Sequence, residues 1–393
     1  MGNAFIKKID LSILLIVCIL GVLSIVFINS SQQTGLYGNQ NFALKQGINY
    51  LIGTILLFVL VYLDSDQIEK LAWPFYLISF AAIILLPVMP SSIAPYILGA
   101  KRWYNIPFLG SIQPSEFFKV ALLLLTASIA RKHIAAYQVR TVRSDFLLIG
   151  KILLVTLPPS LFVYMQPDTG MVFLYLAGII TVILLSGVQK KIILSLTMIP
   201  AALTAILMYI YFQRPDILYH KLIPLLSPHQ QARIVGWLSP GGHSDQSYQA
   251  SQALMAVGSG ELQGKGIGKG NVYIPEKTTD FIFAAIAEEG GFLVVGLVIL
   301  LFILLMYRML VTAYIAESPF GTFVCSAAMV VFTLQIFQNI GMNVGLMPVK
   351  GISLPFLSYG GSSVFSNMIL MGIILSIRKS SGDYMFKAER LIG

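Results

Sequence analysis

Apolar runs close to or above the roughly 20 residues needed to cross a bilayer core recur along the whole of this chain, and that spacing constrains the fold more than any other feature. Ten candidate spans can be drawn, at 11–28, 47–63, 71–89, 117–130, 146–165, 169–187, 192–212, 281–307, 320–339 and 353–377. The fourth is short, and the eighth is interrupted by Glu288-Glu289-Gly290-Gly291, which puts its first turns at the interface or against protein. Only 11% of the residues are charged and 56% are hydrophobic, where a soluble domain carries about a quarter charged residues. The expected fold is an all-α polytopic membrane protein of about ten helices, a single membrane domain over 1–393.

The net charge of +9 acquires meaning only once it is placed on that topology. Ten crossings from a cytoplasmic N-terminus put Lys7, Lys8, Lys70, Arg131, Lys132, Arg140, Arg143, Lys190, Lys191, Arg308, Arg378, Lys379, Lys387 and Arg390 inside, while the short outer loops keep Lys45, Lys101, Arg102 and Lys350. This is the positive-inside bias of a cytoplasmic-membrane protein with both termini in the cytoplasm, and it replaces a nucleic-acid reading of the basic balance. The run after Lys7 and Lys8 ends in Asn29-Ser30-Ser31 without a small-x-small cleavage pattern, so it reads as an uncleaved anchor. Cys18 and Cys325 lie in separate apolar runs and read as buried packing residues, with neither disulfide nor zinc spacing.

Two outer segments exceed what mere connection requires: 90–116, and the large loop 213–280 between the seventh and eighth spans. The latter carries Ile217, Leu218, Leu222, Ile223, Leu225 and Leu226, which suit an interfacial amphipathic segment, and then a helix-compatible stretch at 248–257. Gln113-Pro114-Ser115-Glu116 and Gln166-Pro167-Asp168 echo each other on the outer side.

Ionisable residues near the outer boundary are the candidates for chemistry. Asp280 lies where the large loop meets the eighth span, beside apolar residues able to raise its pKa, and could be a general base; following Thr278-Thr279 and preceding Phe281, it could equally cap a helix. Glu116 and Lys119 share a helix face, more simply an internal ion pair than a catalytic couple. Glu288 and Glu289 are secondary candidates, because intramembrane carboxylates need either a function or a partner. Arg102 suits an anionic group, Trp103 a stacking platform or an interface anchor, and Lys350 either an anionic ligand or solvent. Gly264-Lys265-Gly266-Ile267-Gly268-Lys269-Gly270 lacks P-loop spacing and reads as a flexible turn. Gln335, Gln338 and Asn339 put amides on one side of the ninth span, for interhelical bonding or a polar cavity. Pro355, Gly360 and Gly361 interrupt the tenth near its outer end, which favours a site opening outward.

Seven strings, in order along nearly the whole chain, carry a family resemblance: GAKRW (99–103), QPSEFFK (113–119), QPDTG (166–170), YQASQAL (248–254), GKGIGKG (264–270), PEKTTDFIFAAIAEEGG (275–291) and NVGLMPVKGISLPFLSYGGSS (343–363). On them the chain resembles the SEDS (shape, elongation, division and sporulation) family, and its short tails suit the elongation branch. The resemblance implies a ten-helix fold and a glycosyltransferase that polymerises lipid II into glycan on the outer face of the cytoplasmic membrane. It places Asp280 on the family's catalytic aspartate, sets Arg102 and Trp103 near the site, and implies a class B penicillin-binding protein and other elongation-machinery membrane proteins as partners. No organic cofactor is implied; a divalent cation, Mg2+ or Mn2+, would travel with the substrate diphosphate, since no dedicated metal cage is legible. A flippase or transporter and a scaffold for the partner synthase are the rival readings; a transporter would place its polar groups nearer the bilayer midplane.

Overall fold

The computed structural model describes residues 10–32, 41–97, 100–107, 110–238 and 245–381. Lys7, Lys8, Gly99, Lys387 and Arg390 lie outside these. Ten long helices correspond to the ten expected spans: α1 (Leu11–Gln32), α2 (Phe42–Tyr62), α3 (Ser65–Leu85), α4 (Pro114–Ala136), α5 (Val142–Met165), α6 (Thr169–Leu185), α7 (Lys190–Gln213), then α10 (Ile282–Ile315), α11 (Pro319–Asn343) and α12 (Gly361–Ser380). Eight of these ten are long and apolar enough to cross a membrane, α6 is a shorter apolar helix, and α4 carries the charges that set it apart. The chain is a multi-pass membrane protein.

The large loop is folded. Short helical turns over 215–225 lead to α8 (Pro228–Leu238) and α9 (Asp245–Ser259), and α9 packs on α10. The first outer segment forms a hairpin of β1 (Tyr104–Ile106) with β2 (Gly110–Ile112).

Helix α4 lies at the centre, against α3, α5, α6, α11 and α12, and is buried around nearly its whole circumference, its buried Glu116 and Lys119 paired with each other. Helix α7 is the opposite case: it has no buried residue and packs chiefly on the turn that follows it, leaving its apolar surface for lipid. Charges gather at one end of the bundle, where Asp10 takes Arg308 at 2.5 Å and Arg378 at 3.9 Å, so the beginning of the first span and the end of the last share a face.

Three expectations need correction. The last span begins at Gly361, because 351–360 is nonhelical backbone tied to neighbouring elements. Cys325 is buried, but Cys18 faces out of the bundle, since the helix register turns it toward lipid. The glycine-lysine run is an ordered cap. Helix α10 breaks at Gly291, whose φ of +67° disfavours other residues and where an added Cβ would lie 2.7 Å from the Gln263 carbonyl carbon. The run mends the break: Lys265 and Gly266 donate backbone N–H groups to the Glu288 and Glu289 carbonyls at 3.0 Å, while Phe292 donates to the Glu261 carbonyl at 2.9 Å. Broken backbone is tolerated at membrane depth only when protein satisfies it in this way.

Candidate functional site

A cavity of about 860 Å³ is enclosed by the β-hairpin, the starts of α4 and α6, the turn before α10, α11, and the 351–363 segment. Trp103, Glu116, Asp168, Asp280 and Gln335 contribute to its wall. A second cavity of about 690 Å³ is lined by Arg102, Arg233 and Lys350 together with apolar Tyr164, Leu226 and Ile234. The two come together at Gly351, where an added Cβ would lie 3.3 Å from Asp280 Oδ2 and 3.9 Å from Arg233 Nη2.

Asp280 is held by its backbone. Asn339 donates one Nδ2 hydrogen bond to the Asp280 carbonyl at 2.9 Å and another to the Ile352 carbonyl at 2.8 Å, and Asn343 adds a contact to the Asp280 carbonyl at 3.3 Å. Ser358 Oγ donates to the Thr279 carbonyl at 2.7 Å, and the Tyr359 N–H to the Thr278 carbonyl at 2.9 Å. The helix-capping alternative for Asp280 is not realised: Phe281 occupies the N-cap position, and Asn343 Oδ1 accepts the Ala284 N–H at 3.2 Å. The Asp280 carboxylate therefore has no hydrogen bond or ion pair among the described residues. Burial and, next, the Glu276 carboxylate push its pKa up to about 6 against the opposing pull of Arg233.

Arg233 is the cation beside this carboxylate, and Arg102 and Lys350 line the basic cavity with it. Arg233 Nη1 donates to the Lys350 carbonyl at 3.2 Å. Burial, followed by the Arg233 charge, holds the Lys350 ammonium below its ordinary pKa, and Lys350 Nζ lies 5.2 Å from the Phe173 ring centroid. Arg102 donates Nε to the Gln166 carbonyl at 2.6 Å and Nη2 to the Pro167 carbonyl at 3.3 Å, and its guanidinium lies 5.8 Å from the Trp103 ring. It thus binds the C-terminal end of α5 as well as lining the basic cavity.

Glu116 and Lys119 form the ion pair expected of their spacing, at 2.7 Å, and Ser366 Oγ donates to the same Glu116 oxygen at 2.9 Å. The two echoing strings meet in space: Gln113 Nε2 and Ser115 Oγ donate to Asp168 Oδ2 at 2.8 and 3.3 Å. Asp168, which caps α6, is held above the ordinary carboxylate range by burial, with Arg102 opposing.

Glu288 and Glu289 belong to a different network. Glu288 accepts from Lys265 and Lys277 at 2.8 Å each and from the Asn271 and Val272 N–H groups at 2.8 and 2.9 Å. Glu289 takes Ser30 Oγ at 2.5 Å and the Gly268 N–H at 3.3 Å.

Arg233, Asp168, Lys277 and Asn343 escaped the sequence reading. Arg233 had a usable signal, as the lone Lys or Arg between Lys221 and Lys265 in a loop full of apolar anchors. Asp168 stood inside a quoted motif. Lys277 and Asn343 also stood inside quoted motifs, but their partners, Glu288 for Lys277 and the Asp280 carbonyl and Ala284 N–H for Asn343, are set by the fold.

The fold and site define a multi-pass membrane protein with an ionisable cavity and a basic cavity meeting at one free carboxylate. The family model FTSW_RODA_SPOVE, described as cell cycle protein, matches residues 8–382, and the chain belongs to that family, the SEDS family. It is 35% identical over 313 residues to the probable peptidoglycan glycosyltransferase FtsW of Nitrosomonas europaea, covering 78% of this chain and 75% of the relative. It is 31% identical to the peptidoglycan glycosyltransferase MrdB of Escherichia coli over 330 residues, 83% of this chain and 82% of the relative. Among solved structures, one concerned with coordination of polymerization and crosslinking by a peptidoglycan synthase complex superposes with a TM-score of 0.73 at 24% identity, over 95% of this chain and 99% of that one. The rod shape determining protein RodA of Thermus thermophilus gives 0.65 at 24% identity, over 95% and 98%. These structural likenesses bear on the fold.

Proposed function

We infer that the chain is a peptidoglycan glycosyltransferase that polymerises lipid II into glycan strands, using Asp280 as general base in a single inverting displacement. Family membership and the names of the relatives support the activity. The observation that carries the assignment of the base is the unpartnered Asp280 carboxylate, with a pKa pushed up to about 6, beside Arg233 at the junction of the two cavities.

Asp280 takes the proton of the acceptor hydroxyl as its oxygen attacks the anomeric carbon, and the bond from that carbon to the diphosphate breaks. The lipid diphosphate leaves with the electron pair. Arg102, Arg233 and Lys350 supply positive charge where the leaving group becomes more negative. Inversion requires no covalent protein nucleophile. A Mg2+ or Mn2+ ion carried in with the substrate diphosphate would add positive charge at the leaving group.

The positive-inside bias puts the cavities on the outer face of the cytoplasmic membrane and both termini in the cytoplasm. An energised donor is required there, because nucleotide triphosphates are absent; a diphosphate-linked sugar is one. We assign the chain to cell elongation and shape maintenance with a class B penicillin-binding protein as partner, a reading supported by the fold likeness to a peptidoglycan synthase complex and to a rod shape determining protein.

The test is polymerisation of lipid II by the full-length protein in liposomes with its partner synthase, comparing wild type with Asp280→Asn. Polymer from the wild type and none from the variant supports the assignment. Transbilayer movement of lipid II without polymer from either protein would replace it with a transport function.

A further inference from the structure

Helix α11 carries an amide stripe at Gln335, Asn339 and Asn343, spaced by four residues and so on one face. The two outer members are occupied, both holding the Asp280 carbonyl. Their neighbour Gln338 donates to the Pro348 carbonyl at 2.9 Å. Gln335 differs: it is only 1% exposed, it lines the larger cavity, and neither its Nε2 nor its Oε1 has a hydrogen-bond partner among the described residues. A buried, unsatisfied amide is costly in a protein interior, and more so at the depth of hydrocarbon. Its position one helical turn, about 6 Å, inward of Asn339 sets it below the reacting centre.

We propose that Gln335 recognises the acetamido substituent of the sugar bound beside Asp280, and so sets specificity for N-acetylated substrates. This rests on the glycosyltransferase reading. The orphan amide presents an NH2 donor group and a carbonyl acceptor in one plane. A diphosphate offers acceptors alone and a polyprenyl tail offers neither, whereas a secondary amide supplies an N–H and a C=O that satisfy both at once. The acetamido group adjoins the reacting anomeric carbon, matching the single turn between Gln335 and the residue that clamps Asp280. Stem-peptide amides lie farther from that carbon.

The experiment compares wild type and Gln335→Met, which keeps the side-chain length and removes the amide, on lipid II and on lipid II whose sugars are N-deacetylated. A third substrate lacking the stem peptide separates sugar from peptide recognition. Wild type is expected to favour the acetylated over the deacetylated substrate in kcat/KM by about tenfold or more. Gln335→Met is expected to lose that preference through the acetylated substrate alone, with or without the peptide, and to melt no lower than wild type because a buried orphan has been removed. Equal loss on acetylated and deacetylated substrates, a preference that survives the substitution, or an effect seen only when the stem peptide is present would overturn the assignment. Native mass spectrometry of the two lipids bound to each protein reads the same preference without turnover. If wild type makes no polymer, the enzymatic reading fails, and the binding preference still decides for or against Gln335.

Discussion

Asp280 and Glu288 sit eight residues apart on one segment, and the fold treats their carboxylates in opposite ways. Glu288 is wholly buried and takes four donors, two of them lysines. Asp280 has its backbone clamped by two asparagines and its carboxylate left open to a cavity. A buried charge that has been fully paired serves the structure, since its interactions are spent before any ligand arrives. A carboxylate rigidly placed but unpaired, raised toward neutrality by burial, has the properties required of a base. The two positions teach that depth in the membrane alone does not mark a functional acid; what matters is whether its lone pairs are already committed.

The sharpest way to break this contrast is to neutralise each acid in turn. Asp280→Asn should lower polymerisation by about 10²- to 10⁴-fold with little change in melting temperature; substantial residual activity would make another group the base. Glu288→Gln should have its main effect on the fold, leaving Lys265 and Lys277 without their counter-charge at a destabilisation of about 3–5 kcal/mol. Thermal melting in detergent reads it, and a variant as stable as wild type but inactive would move Glu288 into the chemistry.

The backbone clamp can be tested separately from the carboxylate. Asn339→Ala should reduce kcat by roughly ten- to a hundredfold through misplacement of Asp280, while the pH profile keeps its shape; a displaced profile would show that Asn339 acts on ionisation instead. The smallest effects are on that profile. Since burial raises the Asp280 pKa to about 6, the active, deprotonated form is depleted as pH falls through that value, and kcat/KM should be half-maximal near it. Glu276→Gln removes a repelling charge and should move this acid limb to lower pH. Arg233→Met removes an attracting charge and should move it higher. Movement in the opposite directions would detach the limb from Asp280.

Much of the scaffold was legible because bilayer crossing imposes length and apolarity on each helix independently of its neighbours. The starts of the spans at 11 and 169 match α1 and α6, whereas that at 353 misses α12, because the apolar Leu354, Phe356 and Leu357 look like helix yet are buried in a nonhelical segment. Within the site, Glu116 and Lys119 could be paired from spacing alone, since a helix fixes where residues three apart lie. Arg233 could not be placed beside Asp280, nor Lys277 beside Glu288, because each of those contacts depends on how a loop closes over the bundle.

The amino-acid sequence by itself determined that this chain lives in a membrane, spans it with about ten helices, and belongs with proteins carrying the same ordered motifs. Those properties are set by local composition and by matching of strings. Only the tertiary structure decided that Asn343, and not Asp280, serves the start of α10, that the glycine-lysine run splints the broken helix, and that Gln335 faces a cavity without a partner. Hydrogen-bond partners in a helix bundle are chosen by packing between segments far apart in sequence, so which polar groups are satisfied and which remain open for chemistry is a property of the folded whole.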